Sequence, residues 1–366
     1  MKVTCVREKI QERISQAEKL AGKNVGLPIL GALLLKAEKD TIVIRATNLD
    51  VGAEFRVPAK VKEKGEVAIP AGIASSIFSS LFSGKNIDLE VVNNNLVVST
   101  EKNTTLIKSI KGDEFPTIPH IKEGVSFTLP AKNIATGVKS VWYASAVSDI
   151  KPEISSVYMY HKGADIVFVA TDSFRLAEKK VKDSGVCEFE GVIIPVKNIR
   201  EIIRIIENIS GNCEVLFDKN QITFATEDVF LTSRIVNGVY PDYHQIIPKE
   251  FSSQVTVLKD DITNALKLTN IFADKFNKVN IKADAGRNVF EISSRNNDTG
   301  ENMTTVDAVI KGDSFDVNFN YKYILDGFQS IHQDSVILKY DAKREVLIMQ
   351  GVSDASFVYL VKPMNK

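Results

Sequence analysis

Apolar positions along the chain follow two alternating rhythms. A short run that alternates every second residue opens into a stretch with the three-to-four spacing of a helix, and further alternating runs follow. "VAIPAGIASSIFSSLF" (67–82), "FTLPAKNIATGVKSVWYAS" (127–145) and "VIIPVKNIREIIRII" (192–206) each read as strand, proline break and amphipathic helix. Aligned in this way, the openings fall at Val3, Val67, Phe127, Val192, Val255 and Val317, with separations of 64, 60, 65, 63 and 62 residues. A near-constant period marks one supersecondary unit used repeatedly. The pattern predicts helices over 7–20, 71–82, 131–144, 196–206, 259–272 and 321–331. About three strands follow each helix. In 213–236, for example, Val215, Phe217, Ile222 and Phe224 alternate with polar residues around "DKNQ", a hairpin signal. The unit is therefore β-α-β-β-β, and the fold class is α+β.

Two proline-rich stretches, 112–124 and 237–250, interrupt the strand runs most strongly. They divide the chain into 1–120, 121–247 and 248–366, each holding two units and each large enough to bury a core of its own.

Composition narrows the function. The 366 residues are 44% hydrophobic and 25% charged, as in a soluble globular protein. The start is charged within eight residues and has no apolar core segment, which speaks against a secretory signal. Runs such as "LPILGALLL" are too short to cross a bilayer, so the expected address is cytoplasmic, with no membrane partner. Cys5, Cys187 and Cys213 are isolated, without CxxC spacing, and are expected to be reduced thiols rather than a disulfide or zinc framework. With 46 basic and 46 acidic residues, the formal charge is zero, which argues against holding nucleic acid by bulk positive charge.

The helices carry mildly basic stripes. Lys132, Thr136, Lys139 and Tyr143 share a face opposite Ile134, Val138, Val141 and Trp142. Lys197, Arg204 and Asn208 lie opposite Ile199, Ile202, Ile203 and Ile206, with Arg200 nearby. Lys259, Thr263, Lys267 and Asn270 form a third stripe, and the first helix presents Lys9, Gln16 and Lys19 beside Glu12. The second helix is expected to expose only Ser75, Ser76, Ser79 and Ser80. Such stripes are ordinary solvated faces, or basic helices turned toward something anionic with the balancing acids elsewhere. Catalytic patterns are weak. The four histidines, His120, His161, His244 and His332, lack metal-ligand spacing, and no GxSxG, P-loop or GxGxxG is present. "ATDSFRLAEKK" (170–180) offers Asp172, Ser173 and Arg175, which fit a small hydrolase centre or a turn in which Arg175 pairs with an acid.

"LPILGALLL" (27–35), "ATNLD" (46–50), "ATDSFRLA" (170–177), "YPDYHQIIPK" (240–249) and "KPMNK" (362–366) occur in an order and spacing that resemble the β subunit of bacterial DNA polymerase III, the sliding clamp. The resemblance spans the chain. It implies a clamp fold of six βαβββ units in three similar domains, closed as a head-to-tail homodimer ring with helices inside and sheets outside. It also implies a non-catalytic processivity factor, without cofactor or metal, that encircles duplex DNA without reading its sequence. The implied partners are the DNA polymerase III catalytic subunit, the clamp loader, other DNA polymerases and repair proteins, all docking through short peptides.

On this resemblance Lys9, Lys132, Lys139, Lys197, Arg200, Arg204, Lys259 and Lys267 face the hole, with Lys23 and Lys151 near its rim. A strand around Thr105 to Ile110, with Ile107 in it, pairs with the partner's third domain near Ile271 and Phe272. The peptide cleft takes Thr171, Ser173, Phe174, Arg175 and Leu176 from one turn, and Ile154, Pro241, Gln245 and Ile246 from neighbouring segments. Asn320 and Tyr323, with Leu360, Val361, Lys362, Pro363 and Met364 of the tail, complete it. Leu176, Ile246, Ile154 and Met364 would supply an apolar floor, and Arg175 and Gln245 would hold peptide carbonyls.

The sequence departs from the family at that cleft. Ser173-Phe174 stand where Gly-His or Ser-His is common, Glu153 and Gln245 where an aromatic and an arginine are expected, and Lys362 where an apolar residue is. The chain ends Asn365-Lys366 instead of Arg-Leu. Helix width supports the ring independently. Helices ~10 Å wide leave a hole of ~10 Å when six close a circle and ~28 Å when twelve do. A duplex of about 20 Å passes only the latter, so two chains are needed. The other readings of the residues are a repeat scaffold that binds proteins and never DNA, and the hydrolase centred on Asp172 and Ser173.

Overall fold

The structure is a computed structural model that describes residues 1–22, 27–82, 84–110, 115–148, 150–182 and 188–364. Among these residues lie six α-helices: α1 (Arg7–Leu20), α2 (Ala71–Ser80), α3 (Ala131–Lys139), α4 (Val196–Ile206), α5 (Lys259–Asn270) and α6 (Tyr321–Phe328). Each follows directly on a strand: Lys2–Val6, Gly65–Pro70, Val125–Pro130, Val192–Pro195, Ser253–Leu258 and Phe315–Asn320. Every opening read from the sequence lies in one of these strands. Pro70, Pro130 and Pro195 each close a strand where the helix begins, a place where a fixed φ suits the helix and the missing N–H is not needed. Three strands follow each helix, as Asn212–Phe217, Gln221–Ala225 and Val229–Arg234 follow α4. After α5 the last of them breaks at Asp307 into Gly300–Val306 and Ala308–Gly312.

The pairing is reciprocal. Each opening strand pairs with the three-stranded set of the other repeat in its pair. Lys2–Val6 lies on Asn86–Val92, and Gly65–Pro70 lies on Ala32–Glu38. Val125–Pro130 lies on Asn212–Phe217, and Val192–Pro195 on Ser156–Lys162. Ser253–Leu258 lies on Ser335–Asp341, and Phe315–Asn320 on Lys278–Asp284. No repeat therefore completes its hydrogen-bond ladder alone.

The described chain forms two compact units, one from residues 1–135 and 197–237, the other from 136–196 and 238–364. The first contains a twelve-stranded sheet organised by the strand Val51–Glu63, which pairs with Val229–Arg234 and Thr41–Thr47 in its first half and with Lys2–Val6 in its second. The second contains a nine-stranded sheet, in which Arg175–Lys182 pairs with Phe357–Val361, and a four-stranded sheet. The third and fourth repeats thus divide their strands between the two units, each set merging with an outer pair of repeats.

One face of each helix is buried. In α4, Ile199, Ile202, Ile203, Ile205 and Ile206 are buried with Asn198, whose amide donates to Ser233 Oγ at 3.0 Å. Several details differ from the sequence expectation: α2, α5 and α6 end at Ser80, Asn270 and Phe328, short of 82, 272 and 331. α3 ends at Lys139, and the chain turns through a short 3-10 helix at Trp142–Ala144. Ser140 Oγ donates to the Thr136 carbonyl at 2.7 Å, a local bond that competes with continued helix. Tyr143 therefore leaves the face of Lys132 and Lys139, and its hydroxyl meets Ser330 Oγ at 2.9 Å. α2 exposes Ile73 as well as Ser76, Ser79 and Ser80, with Ser75 half-buried, and Phe82 just beyond its end is 83% exposed. Cys5 and Cys213 are buried free thiols, each pushed up to about 12 chiefly by desolvation; Cys187 lies outside the described residues.

Helix α6 reaches its sheet through Gly327, where an added Cβ would lie 2.5 Å from the buried ring of Tyr359. In an exposed helix, Gly→Ala stabilises by up to about 1 kcal/mol. Here the overpacking costs about 1–3 kcal/mol, so Gly327→Ala should lower the melting temperature by several degrees. A thermal melt showing a rise would mean that the close approach does not constrain the helix.

Candidate functional site

Three groups of surface residues stand out. The first is the outer face of the helices. In the first unit Lys9, Lys132, Lys197, Arg200 and Arg204 are exposed, and in the second Lys139, Lys151 and Lys267 are. Some are already engaged: Lys197 Nζ lies 2.7 Å from Asp50 Oδ2, and Arg204 pairs with Glu201 at 3.1 Å. Lys259 is half-buried at the start of α5, and its ammonium donates to the Ile331 carbonyl at 2.6 Å. It ties the helix start to a loop rather than projecting freely. Lys23 lies outside the described residues.

The second group marks sheet ends. Thr104–Ile107 closes the path of the twelve-stranded sheet, with Asn95–Ser99 as its neighbour, and Gly300–Val306 closes the four-stranded sheet beside Val289–Asn296. Leu106 is 55% exposed on the first and Met303 67% on the second. Thr105 is half-buried on its strand and Ile107 is buried against the core. Ile271, just past α5, is 65% exposed, while half-buried Phe272 lies against the start of the strand at Gly300. An unpaired strand edge with apolar side chains beside it is a template for another chain.

The third group surrounds the turn between strands Asp165–Thr171 and Arg175–Lys182. Asp172 Oδ1 accepts from the amides of Phe174 and Arg175 at 3.0 Å each, and Thr171 Oγ1 donates to the Arg175 carbonyl at 2.7 Å. Ser173 adopts φ 78, the left-handed conformation that glycine takes without cost, and this turns Phe174 outward to 60% exposure. Asp172 is thereby committed to the turn, and Ser173 Oγ makes no hydrogen bond to a histidine among the described residues. A nucleophile–base pair is not assembled there.

Arg175 differs from its expected role at the rim. The residue is 9% exposed, and its guanidinium reaches Asp172 Oδ2 at 3.0 Å, Asp326 Oδ2 at 2.5 Å and the Tyr143 carbonyl at 2.6 Å, with the ring of Tyr323 beneath at 4.4 Å. It is a tie between the turn, α6 and the 3-10 segment. Leu176, Leu360 and Val361 are at most 1% exposed and back the surface from within the sheet. The accessible residues beside them are Phe174, Pro241, Gln245, Ile246 and Lys362, with Ile154, Tyr323, Pro363 and Met364 half-buried. Lys362 N donates to the Phe174 carbonyl and Met364 N to that of Asn318, both at 2.8 Å, which fixes the tail along the turn. Asn320 caps α6, its side chain accepting from Lys322 N at 3.0 Å, and Gln245 donates to Asp242 at 2.8 Å.

Several residues that hold this region were not singled out in the sequence. Tyr243 donates to Glu178 Oε2 at 2.6 Å and meets the Tyr160 hydroxyl at 2.7 Å; Tyr240 stacks on Tyr158 at 4.7 Å. Burial first, and then the Glu178 charge, push the Tyr243 hydroxyl far above the ordinary phenol range, so it remains a donor. These contacts pin 240–246 across the strands. Asp326 was readable as the acid for Arg175 only through its helical spacing of three from Tyr323. Among the described residues no cluster of three or more His, Cys, Asp or Glu side chains is placed to hold a metal ion, and no helix is long and apolar enough to cross a membrane.

Comparison with known proteins identifies the architecture. Residues 1–119, 128–242 and 244–365 match, in order, the families described as the N-terminal, central and C-terminal domains of the DNA polymerase III beta subunit. The chain is 25% identical over 374 residues to the beta sliding clamp of Synechococcus elongatus, covering 100% of this chain and 99% of that protein. It is 23% identical over 375 residues to that of Staphylococcus aureus, with the same coverage. In fold it is similar to the DNA polymerase III beta subunit of Thermotoga maritima (TM-score 0.93, 23% identity, 100% and 99% covered). The Pseudomonas aeruginosa sliding clamp bound to griselimycin gives TM-score 0.94 at 23% identity, with 100% of both chains covered.

The Arg175 tie yields a direct prediction. Lysine presents one charged point where this site uses a planar fork, so Arg175→Lys should be unable to hold Asp172, Asp326 and the Tyr143 carbonyl together. Chemical denaturation should show a loss of about 2–4 kcal/mol. A change below about 0.5 kcal/mol, the level of an ordinary surface substitution, would show that the tie does not hold the region together.

Proposed function

The chain belongs to the DNA polymerase III beta subunit family, and on that premise we propose how this member closes, faces DNA and receives its partners. It is a DNA sliding clamp, a non-catalytic processivity factor for a DNA polymerase. The observation that carries the reading is the sixfold recurrence of a helix with one face buried on a sheet, with cations on the outer faces of α1, α3, α4 and α5.

In our reading two chains close head to tail, Thr104–Ile107 of one extending the four-stranded sheet of the other along Gly300–Val306. The two free edges, with Leu106 and Met303 exposed on them and Ile271 beside, support this. Domain limits at 1–120, 121–247 and 248–366 follow the pairing of repeats. Twelve helices then line the hole. Lys9, Lys132, Lys139, Lys197, Arg200, Arg204 and Lys267 meet phosphates, in part through water, with Lys151 and Lys23 at the rim, while Lys259 secures α5. A contact that slides must not read bases, so direct affinity is weak, indifferent to sequence and reduced by salt. We place the protein in the cytoplasm with the replication machinery.

Partner proteins, among them the polymerase catalytic subunit, the clamp loader, other polymerases and repair enzymes, dock short peptides on the surface formed by Phe174, Pro241, Gln245, Ile246, Ile154, Tyr323 and Lys362 to Met364. Leu176, Leu360 and Val361 back this surface, Thr171 and Ser173 shape its turn, and Arg175 and Asn320 hold it rigid. Phe174 and Lys362, both exposed, give this cleft an aromatic and a cationic rim.

Two measurements test the proposal. Ile271 and Phe272 together contribute about 3 kcal/mol of apolar burial to the closed ring. Ile271→Ala with Phe272→Ala should therefore convert a dimer to monomers at micromolar concentration in sedimentation, and a wild type already monomeric there would exclude the ring. Deleting Pro363 to Lys366 should abolish calorimetric binding of a pentapeptide taken from the cognate polymerase catalytic subunit while leaving the dimer intact. Unchanged affinity would exclude the cleft assignment.

A further inference from the structure

The turn 47–52 of the first unit repeats the turn 171–176 of the second, bond for bond. Thr47 Oγ1 donates to the Val51 carbonyl at 2.9 Å, as Thr171 Oγ1 does to that of Arg175 at 2.7 Å. Asn48 Oδ1 accepts from the amides of Asp50 and Val51 at 3.0 and 2.8 Å, as Asp172 Oδ1 accepts from those of Phe174 and Arg175. Leu49 takes φ 75 where Ser173 takes φ 78. Arg234 N donates to the Asp50 carbonyl at 2.8 Å, as Lys362 N does to that of Phe174 at 2.8 Å. Arg234 therefore occupies the register of the tail residue Lys362. The connector "FPTIPH" (115–120) runs past the first turn as "YPDYHQ" (240–245) runs past the second, with Ile118 buried in the one and Tyr240 and Tyr243 in the other.

Beside the first turn lies a cavity of about 640 Å³, within the range of ligand-binding clefts. Leu49, 45% exposed, and Pro116, Pro119 and Ile235 form its apolar wall. Its charges do not cancel. Asp50 is taken by Lys197 at 2.7 Å, whereas exposed Arg234 has no carboxylate partner among the described residues. An Arg fork open to solvent beside an apolar wall is complementary to a carboxylate adjoining an aliphatic side chain. The floor differs from that of the other turn. Gly52 stands in the place of Leu176, and Ile118 fills the space, lying 3.2 Å from where a Cβ would be. The connector thus supplies the floor here.

We propose that this cavity is a second peptide-docking site, which takes a short extended segment of a partner protein with an acidic residue next to an aliphatic one. The inference rests on reading the 171–176 surface as a peptide site. The two sites differ in what they select: the first turn binds through the acid–Arg234 pair, the second through its exposed aromatic and tail.

Photo-crosslinking of the full-length chain distinguishes them. The probes are the capped pentapeptides Gly-Leu-Asp-Leu-Gly and Gly-Leu-Asn-Leu-Gly, each carrying a C-terminal benzophenone, with the labelled segments identified by mass spectrometry. The Asp probe should label 47–52, 116–119 or 220–237, and the Asn probe should label them about fivefold less, as expected for one exposed ion pair. Arg234→Glu should reduce that labelling at least as much without altering any at 171–176 and 241–246, and Arg234→Lys should restore most of it. Labelling confined to 171–176, 241–246 and 360–364 would overturn the 47–52 site and leave the 171–176 site standing. Labelling confined to the 47–52 cavity, sensitive to Arg234→Glu, would support the 47–52 site. Labelling of neither, or labelling of the cavity that ignores Arg234→Glu or is not restored by Arg234→Lys, would overturn the inference.

Discussion

Each repeat gives up its first strand to the three-stranded set of its partner, and the rest of the molecule depends on that exchange. Val125–Pro130 completes the ladder of Asn212–Phe217, while Val192–Pro195 completes that of Ser156–Lys162. Backbone donors and acceptors left unpaired in a buried sheet are costly, so a lone repeat has nowhere to satisfy its opening strand. The pair is the smallest self-consistent piece. Because the helix follows its strand without a linker, placing the strand also places the helix, with its apolar stripe against the sheet and its polar stripe outward.

The division of labour on the surface follows. A chain with equal numbers of acidic and basic residues does not attract DNA through its total charge. Its exposed cations gather on helix faces, and it is through this local distribution that we propose it meets DNA. That suits a protein that must stay near a duplex without holding one place on it. Sheets extend across repeats where Val51–Glu63 pairs with Val229–Arg234 and Arg175–Lys182 with Phe357–Val361, and this sets a strand of another repeat beside each of the hairpin turns that we propose as docking surfaces. In the second unit Arg175 locks such a turn to α6. In the first, Val51 stands in its place, and Arg234 is left available for an acidic ligand.

The sixfold unit was legible because helix and strand periodicities differ and because prolines mark the joins. The strand exchange was not, since partners such as Lys2–Val6 and Asn86–Val92 lie more than eighty residues apart and alternation carries no information about which edge is joined. Helix-face positions were legible where exposure alone decides them, as for Lys132 and Arg200. They were misjudged where a local bond intervened. Ser140 ended α3 early and withdrew Tyr143 from the basic face, and the Ile331 carbonyl engaged Lys259. The sequence left Arg175 either holding peptide carbonyls or paired with an acid, and the structure pairs it; its partners Asp326 and the Tyr143 carbonyl come from distant segments that no local pattern links. The pinning of 240–246 by Tyr243 and Glu178 left no pattern in the sequence, since hydroxyl–carboxylate pairs have no period.

The central claim is topological: the protein holds DNA by surrounding it, not by gripping it. The most direct test loads the protein onto a nicked circular duplex with its cognate loader and ATP, isolates the complex by gel filtration, and then linearises the DNA with a single-cutting restriction enzyme. The account predicts that the protein co-elutes with the circle in moderate salt and is released once a free end exists. Equal retention on circular and linear DNA, or no retention on the circle, would contradict it.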